Sequence, residues 1–462
     1  VINDNRDGFG PPQDFQFPQR FPFQPTEVND RVLRFIDFST QSKGEEEEFS
    51  MVDAKLQSKN KLLSKKGMLS NAWNRNKQQS QSKQAQISRP QQRKIYRDAS
   101  IQVKPNWRIV AELNKQHLDK LSLNPRNPKD LISTDSVMKL NQGILASVSA
   151  KRPKAHDVAE RLEEAKYLST SDDPVMQELI RQDAGNVFIT DVILSTLMTV
   201  LRSVYSWDIT VTKTGSKLVF DKVRNGVLDE MSVNENADVP PEDDDSGNVL
   251  NSTKTLADEC YRVNLAFRKI ALTPPPVVLG DAFPAEQPFK QAYKYRKWEL
   301  TESIHVVVRT EVDAYIGEPS APVFEKLRAL NEFDSSVTGG YRANLSSQSG
   351  KIIGNEVHNN GCKLSKWTIQ AHLAGVESMR VGFFVRNTVT KTDKHLLVGV
   401  NKFYVSQLAS NLNLAISNCW GVFAGLVELL RTQADGKYIL IKDPNRLILR
   451  LYSCPEEREE DS

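Results

Sequence analysis

Glu311-Val312-Asp313 and Glu356-Val357-His358 are the residues of this 462-residue chain whose types and spacing invite hydrolytic chemistry. Carboxylates brought together on neighbouring strands can hold divalent ions, and ions so held generate a nucleophile and neutralise charge at a cleaved phosphodiester. Glu311 and Asp313 stand in SIHVVVRTEVDAYIG, residues 303–317, whose alternation predicts a strand. Glu356 is expected to close a second strand in residues 351–375, with a helix following from about Cys362. The gap between the two acidic pairs is long, and a two-metal site needs several carboxylates to offset the charge of its ions. The bland reading is that Glu311, Asp313 and Glu356 only shape a groove.

A second chemistry is nucleic-acid binding. Residues 55–97 carry twelve lysines and arginines, from Lys55 to Arg97, and no Asp or Glu. Such a basic, glutamine-rich stretch neutralises phosphates without reading sequence, and Trp73 and Tyr96 add faces for base stacking. A linker with no ligand is the equal alternative on composition. Tyr293, Tyr295 and Trp298 interleave with Lys294, Arg296 and Lys297, which suits nucleic acid and equally suits a strand with one aromatic face in the core. Residues 234–251, NENADVPPEDDDSGNVLN, read as an acidic surface loop.

The elements that must position these residues are clearest in residues 170–220. Asp173 before Pro174 predicts a capped helix start. After a break at residues 183–185, Val192, Ile193, Leu197, Val200, Leu201 and Val204 recur at helical spacing, leaving Asp191, Ser195, Arg202 and Ser203 for the other face. Two apolar runs joined at Gly215 predict a β-hairpin. Residues 253–270 read as a helix with Leu256, Cys260, Val263 and Phe267 on one face, residues 396–400 as a strand, and residues 403–431 as one or two amphipathic helices. A last hairpin turns at residues 443–445. The phenylalanines of residues 1–25 are spaced as anchors on a partner or on the chain's own core, and residues 107–121 read as a tether onto that core.

Composition bounds the possibilities: 39% hydrophobic residues suffice for one large core with a polar remainder, and the formal net charge is only +3. No stretch approaches the roughly 20 apolar residues of a membrane-spanning helix, and no apolar leader opens the chain, so the expectation is a soluble, non-secreted protein with no membrane partner. Four cysteines without a C-x-x-C pair argue against zinc ribbons, disulfide frameworks and dithiol redox chemistry, and fit a reducing compartment.

TSDDPV, the run G-N-V-F-x-T-D-x-I-L-x-T-L-M from Gly185 to Met198, and RSVYSWDI resemble the d-subunit family of eukaryotic translation initiation factor 3. DNRDGFGPP near one end and GKYILIKDPNRLILRLYS near the other resemble it in the same order. The core resembles the decapping exonuclease family as well, with Lys363, Lys366, Trp367, Gln370, Leu373 and Gly375 at that family's spacing. These resemblances imply an α+β fold of mixed β-sheets flanked by helices around an RNA groove. They imply a non-catalytic, cytoplasmic subunit of the initiation factor that binds the 5′ cap of selected messenger RNAs and needs no cofactor or metal. Capped mRNA, sister subunits and the small ribosomal subunit are the partners implied.

By the same resemblance, Asp191, Val204 and Tyr205 border the groove, positions matching Cys260 and Asn264 meet capped RNA, and the insertion holding Asp238, Glu242, Asp243, Asp244 and Asp245 gates the groove. Chemically, Tyr205 offers a stacking face, Asp191 a hydrogen-bond acceptor and Arg202 a phosphate contact; ordinary packing and a helix cap are the bland readings. His358 stands where the nucleases carry lysine, so catalysis is expected to be lost. The expected layout is a tail at 1–124, a linker at 125–153, a cap-binding domain at 154–453 and an acidic tail at 454–462, whose Ser462 offers a phosphorylation site. An active cap-processing nuclease and an architectural subunit that never touches the cap are the alternatives.

Overall fold

Short alternating apolar runs pair into two β-sheets in the computed structural model, which describes residues 97–133, 137–148, 151–158, 169–223, 226–229, 231–236, 249–272 and 292–455. The expectations placed on residues 1–96, on the acidic gate residues Asp238, Glu242, Asp243, Asp244 and Asp245, and on the chain past Pro455 lie outside the described residues.

The larger sheet holds β1 (Arg108–Asn114), β2 (Lys129–Ser133), β4 (Val187–Thr190), β5 (Asp208–Thr214), β6 (Lys217–Asp221), β7 (Ala292–Glu299), β8 (His305–Val312), β13 (Gly436–Lys442) and β14 (Ile448–Cys454). Their order is β1-β14-β13-β5-β6-β4-β8-β7-β2, with β4 parallel to both β6 and β8. The smaller sheet holds β3 (Ala155–Asp157), β9 (Ala314–Ile316), β10 (Val323–Glu332), β11 (Ser378–Arg386) and β12 (Lys394–Tyr404), ordered β3-β12-β11-β10-β9 with β10 and β11 parallel. The α+β class expected from the sequence therefore holds.

Seven helices matter for the argument: α1 (Pro174–Arg181), α2 (Asp191–Met198), α3 (Thr253–Leu272), α4 (Ser349–Asn359), α5 (Gly361–Ala374), α6 (Val405–Asn411) and α7 (Ile416–Arg431). The smaller sheet is covered on both faces. Leu327, Ala329 and Phe384 meet Val263 and Phe267 of α3, while Leu330, Phe383 and Val385 meet Ile352, Leu364 and Trp367 of α4 and α5. Alternate residues of one strand thus point to opposite cores, as the two-residue period requires.

Asp173 caps α1 as expected, accepting from the backbone N–H groups of Val175 and Met176 at 2.9 and 3.3 Å, with Pro174 in the first turn. Asp183, at φ 53°, ends it in the left-handed region. The hairpin of β5 and β6 forms around Gly215, at φ 57°, and the β13–β14 hairpin closes with Asp443 accepting from Asn445 and Arg446.

Several expectations are corrected. Residues 187–190, assigned no element from the sequence, form β4, a fully buried strand too short for its period to show. Helix α2 stops at Met198 instead of running to Val204, and Asp191 and Ser195, assigned to an outer face, are buried because α5 and α7 pack on the sides the sheet leaves open. The strand expected over residues 303–317 breaks at Asp313: β8 belongs to the larger sheet and β9 to the smaller. Residues 97–153, expected as tail and linker, supply β1 and β2 to the larger sheet, so the folded part extends before Lys154. Tyr295 and Trp298 are core residues, Trp298 lying 5.5 Å from Trp420 between ring centroids. Among the described residues no single helix is long and apolar enough to cross a membrane.

Candidate nucleic-acid site

Helix α2 starts where β4 ends, and β8 runs parallel beside it, so Asp191 and Glu311 arrive at the same level. The Asp191 carboxylate accepts from the backbone N–H of Glu311 at 3.0 Å. Two residues on, Asp313 sits where the chain passes from one sheet to the other. Three cations converge on these acids. Arg268 of α3 lies 2.9 Å from Glu311 and 3.1 Å from Asp313, and Arg328 of β10 lies 2.9 Å from Asp313 and 3.3 Å from Glu311. The Lys326 ammonium, 1% exposed, lies 3.6 Å from Glu311 and 3.8 Å from Asp191, with no hydrogen-bond partner among the described residues.

Burial alone would raise the Glu311 carboxyl, but Lys326, Arg268 and Arg328 outweigh it and hold the group well below the usual carboxylate range. Asp191 moves the other way: burial raises it, and Lys326 offsets this only in part. A divalent ion here would have to displace two guanidinium groups and an ammonium, so the donor set does not fit a metal. Among the described residues no group of three or more His, Cys, Asp or Glu side chains is placed to hold one.

Glu311, Arg268 and Arg328 also line a pocket along the edge of β10. Strand β9 pairs with β10 only as far as Glu325. Beyond it, side chains take the place of a neighbouring strand: Asp313 accepts from Leu327 N–H at 2.8 Å, and Asn264 both accepts from Ala329 N–H at 2.8 Å and donates to its carbonyl at 2.9 Å. Unpaired backbone groups at a buried edge are costly, so these contacts are structural. With α3 on one face of the edge and α5 on the other, the pocket is bordered by Asn264, Arg268, Arg328, Lys363, Lys366 and Gln370.

The predicted site residues divide into separate places. Asn264 borders the pocket, while Cys260, one turn earlier, is fully buried, its thiol pushed up by burial against the opposing pull of Lys363. Arg202, Val204 and Tyr205 are half-buried beyond the first turn of α5, on the far side of Ser203 and Cys362. Arg202 donates to the Asn413 carbonyl at 2.7 Å, and Tyr205 carries the Arg97 guanidinium 5.1 Å from its ring centroid. Burial raises the Tyr205 hydroxyl first, and Arg97 opposes this.

Glu356 was expected on a strand beside Glu311 and Asp313. It lies on α4, 2% exposed, accepting from the Tyr341 hydroxyl and from Asn360 at 2.8 Å, and burial raises its carboxyl. The structure does not join it to Glu311 and Asp313. At the base of the acidic loop, Asn234 and Glu235 are buried rather than exposed, and Glu235 accepts from the Lys363 N–H at 2.7 Å, capping the start of α5.

Sequence reasoning missed Lys326 and Arg328. Their signal was available: charged residues at alternate positions in the run VFEKLRALNE, where a buried strand should be apolar. Arg268 was not read as a site residue either.

A family model described as eukaryotic translation initiation factor 3 subunit 7 matches residues 46–453. Curated relatives include the D subunits of that factor from Aedes aegypti, 37% identical over 78% of this chain and 60% of the relative, and from Bombyx mori, 31% identical over 99% of this chain and 91% of the relative. The match thus spans less than two thirds of the Aedes protein. Among solved structures, Rai1 of Scheffersomyces stipitis in complex with (3'-NADP)+ and calcium ion matches at 14% identity and a TM-score of 0.46, covering 73% of this chain and 91% of that one. Rai1 of S. pombe matches at 11% identity and a TM-score of 0.45, over 74% of this chain and 99% of that one.

Proposed function

The chain belongs to the D-subunit family of eukaryotic translation initiation factor 3, and from that premise we propose that it is a non-catalytic, cytoplasmic subunit of the complex that holds the capped 5′ end of selected messenger RNAs in the groove along β10. The observation that carries the reading is the neutralised carboxylate cluster. Glu311 and Asp313 are neutralised by ion pairs with Arg268 and Arg328, and Asp313 also accepts from the Leu327 N–H, so the ions that phosphodiester cleavage would need would have to displace two guanidinium groups. What remains is a groove whose rim carries cations and polar groups, suited to holding RNA without cutting it.

Sister subunits and the small ribosomal subunit are the partners proposed for the rest of the chain, with residues 55–97 as the sequence-blind RNA contact. The acidic residues Asp238, Glu242, Asp243, Asp244 and Asp245 are proposed to compete with RNA phosphate for the groove.

The test is ultraviolet crosslinking of cap-labelled RNA to the 462-residue chain in magnesium buffer, with excess cap analogue as competitor and Tyr205→Ala alongside. The expected result is a crosslink that competitor and substitution both abolish, with the RNA left intact. Shortened RNA would mean an active nuclease. A crosslink indifferent to the competitor would leave an architectural subunit that contacts RNA only through its basic segment.

A further inference from the structure

We propose that residues 15–23 of this chain, FQFPQRFPF, dock as an added strand against the open edge of β12, in the groove between α4 and α6. In the smaller sheet β12 and β10 flank β11, so this edge faces away from the pocket beside β10. The occupant is the phenylalanine-rich stretch whose spacing suits either a partner or the chain's own core.

Strand β12 pairs with β11 from His395 to Tyr404, but β3 covers its other side only as far as Leu396. From Leu397 to Tyr404 no strand lies on that side among the described residues. Backbone N–H and C=O groups that point outward from such an edge are open to pairing with another segment. The groove is bordered by Val400 and Lys402 from one face of β12 and by Asn401 and Phe403 from the other, as happens where a strand's edge is open. On α4, Gly350 and Gly354 stand one turn apart, and nothing lies within 4 Å of the place a Cβ would take at either. Ile353, Val357 and Phe403 complete an apolar wall. The groove measures about 710 Å³, within the range of about 300–1,000 Å³ that takes a whole ligand.

Residues 15–23 fit this edge through their spacing. In an extended strand, residues two apart share a face and direct their backbone N–H groups to the same side. Phe15, Phe17, Phe21 and Phe23 are all odd-numbered, so they form one apolar face for Ile353, Val357 and Phe403. Pro18 and Pro22 are even-numbered, so both missing N–H groups fall on the edge opposite the N–H groups of Gln19 and the phenylalanines. The strand therefore pairs with β12 through its odd-numbered residues and turns its prolines to solvent, the arrangement that a sheet tolerates. Arg20, the segment's one charged residue, has its side chain on the face away from the phenylalanines. Residues 24–96 join the segment to Arg97, and at about 3.3 Å per residue an extended chain of that length reaches any point of the folded part. Docking within one chain does not weaken as the protein is diluted.

The experiment measures amide hydrogen exchange of the 462-residue chain by mass spectrometry, read at residues 399–404 of β12, with the β5–β6 hairpin as internal control. Phe17→Ser, Phe21→Ser and Phe23→Ser combined should speed exchange at the β12 edge at least about tenfold and leave the hairpin unchanged. Two neighbouring proline substitutions separate strand pairing from loose apolar contact. Gln19→Pro removes a paired N–H and should release the edge, whereas Arg20→Pro removes a solvent-facing N–H and should leave the edge protected. A synthetic peptide of residues 12–26, added to the combined serine variant, should restore protection. Equal exchange in the native chain and the serine variant overturns the docking and leaves the phenylalanines to a partner. Release by both prolines, or by neither, overturns the strand pairing. Protection that falls as the native chain is diluted overturns docking within one chain in favour of a second copy.

Discussion

Several side chains in this molecule do two jobs at once. Asp173 caps α1 with one carboxylate oxygen and with the other accepts from the Tyr295 hydroxyl at 2.7 Å and from Arg309 at 3.0 Å, fixing the helix to β7 and β8. Arg97 is bound in both directions to Asn445, its N–H donating to the side-chain carbonyl at 2.8 Å and its carbonyl accepting from the amide at 3.2 Å, while its guanidinium covers Tyr205 and donates to the Glu235 carbonyl at 3.3 Å. The residue where the basic segment ends is therefore seated on one face of the tyrosine assigned to RNA stacking. A cation over a half-exposed ring contributes about 0.5–1 kcal/mol. Arg97→Ala should lower stability by about that amount and speed nitration of Tyr205, followed by peptide mass analysis. An unchanged nitration rate would show that the guanidinium does not shield the ring.

At the scale of elements, α3 is held to the smaller sheet by shape as much as by charge. Phe267 lies against the backbone of β11 at Gly382, where a Cβ would come within 2.7 Å of its ring. The glycine is thus a packing requirement of the helix, with no turn involved. Gly382→Ala should overpack this contact and cost about 1–3 kcal/mol in denaturant unfolding. A change under about 0.5 kcal/mol, the level of an ordinary surface substitution, would mean that α3 shifts freely on the sheet. The same helix supplies Asn264, which closes the β10 edge, so movement of α3 would open the wall of the pocket.

For the molecule as a whole, two sheets meet at a chain crossing that carries charge. Asp313 marks that crossing, and a second buried cluster lies across the smaller sheet: Glu259 of α3 pairs with Arg386 of β11 at 2.5 Å and with His395 of β12 at 2.6 Å. Burial would raise the Glu259 carboxyl, but the bonds from His395 and Arg386 outweigh it and leave it lowered from its ordinary 4.5. A carboxyl whose folded pKa is lowered contributes stability that is present above its unfolded value and lost as pH falls through the folded one. The advantage of the native chain over Glu259→Gln in urea unfolding should accordingly hold at pH 6–7 and shrink below about pH 4.5. A difference that stays constant down to pH 3 would show that Glu259 is not ionised in its pair.

Local chemistry is legible in the order of the residues alone. The capped start of α1, the β5–β6 and β13–β14 hairpins and the apolar face of α3 each follow from residues close together in the chain, whose capping bonds, turn conformations and periodicity need no distant partner. Family wording in residues 170–220 and 436–453 identifies the family for the same reason, since it needs only order along the chain. The site is less legible. Glu311 and Asp313 stand out in the sequence, but the cations that neutralise them come from β10 and α3, and Glu356 lies on a helix elsewhere in the core. Which strand continues into which sheet is decided by the break at Asp313, and only the packed fold shows that β10 has an edge there with no strand beside it among the described residues. Whether a carboxylate holds a metal or a guanidinium depends on charges brought within about 3–4 Å of it. In this chain one of those charges is Arg268, 43 positions before Glu311, and the fold alone brings the two together.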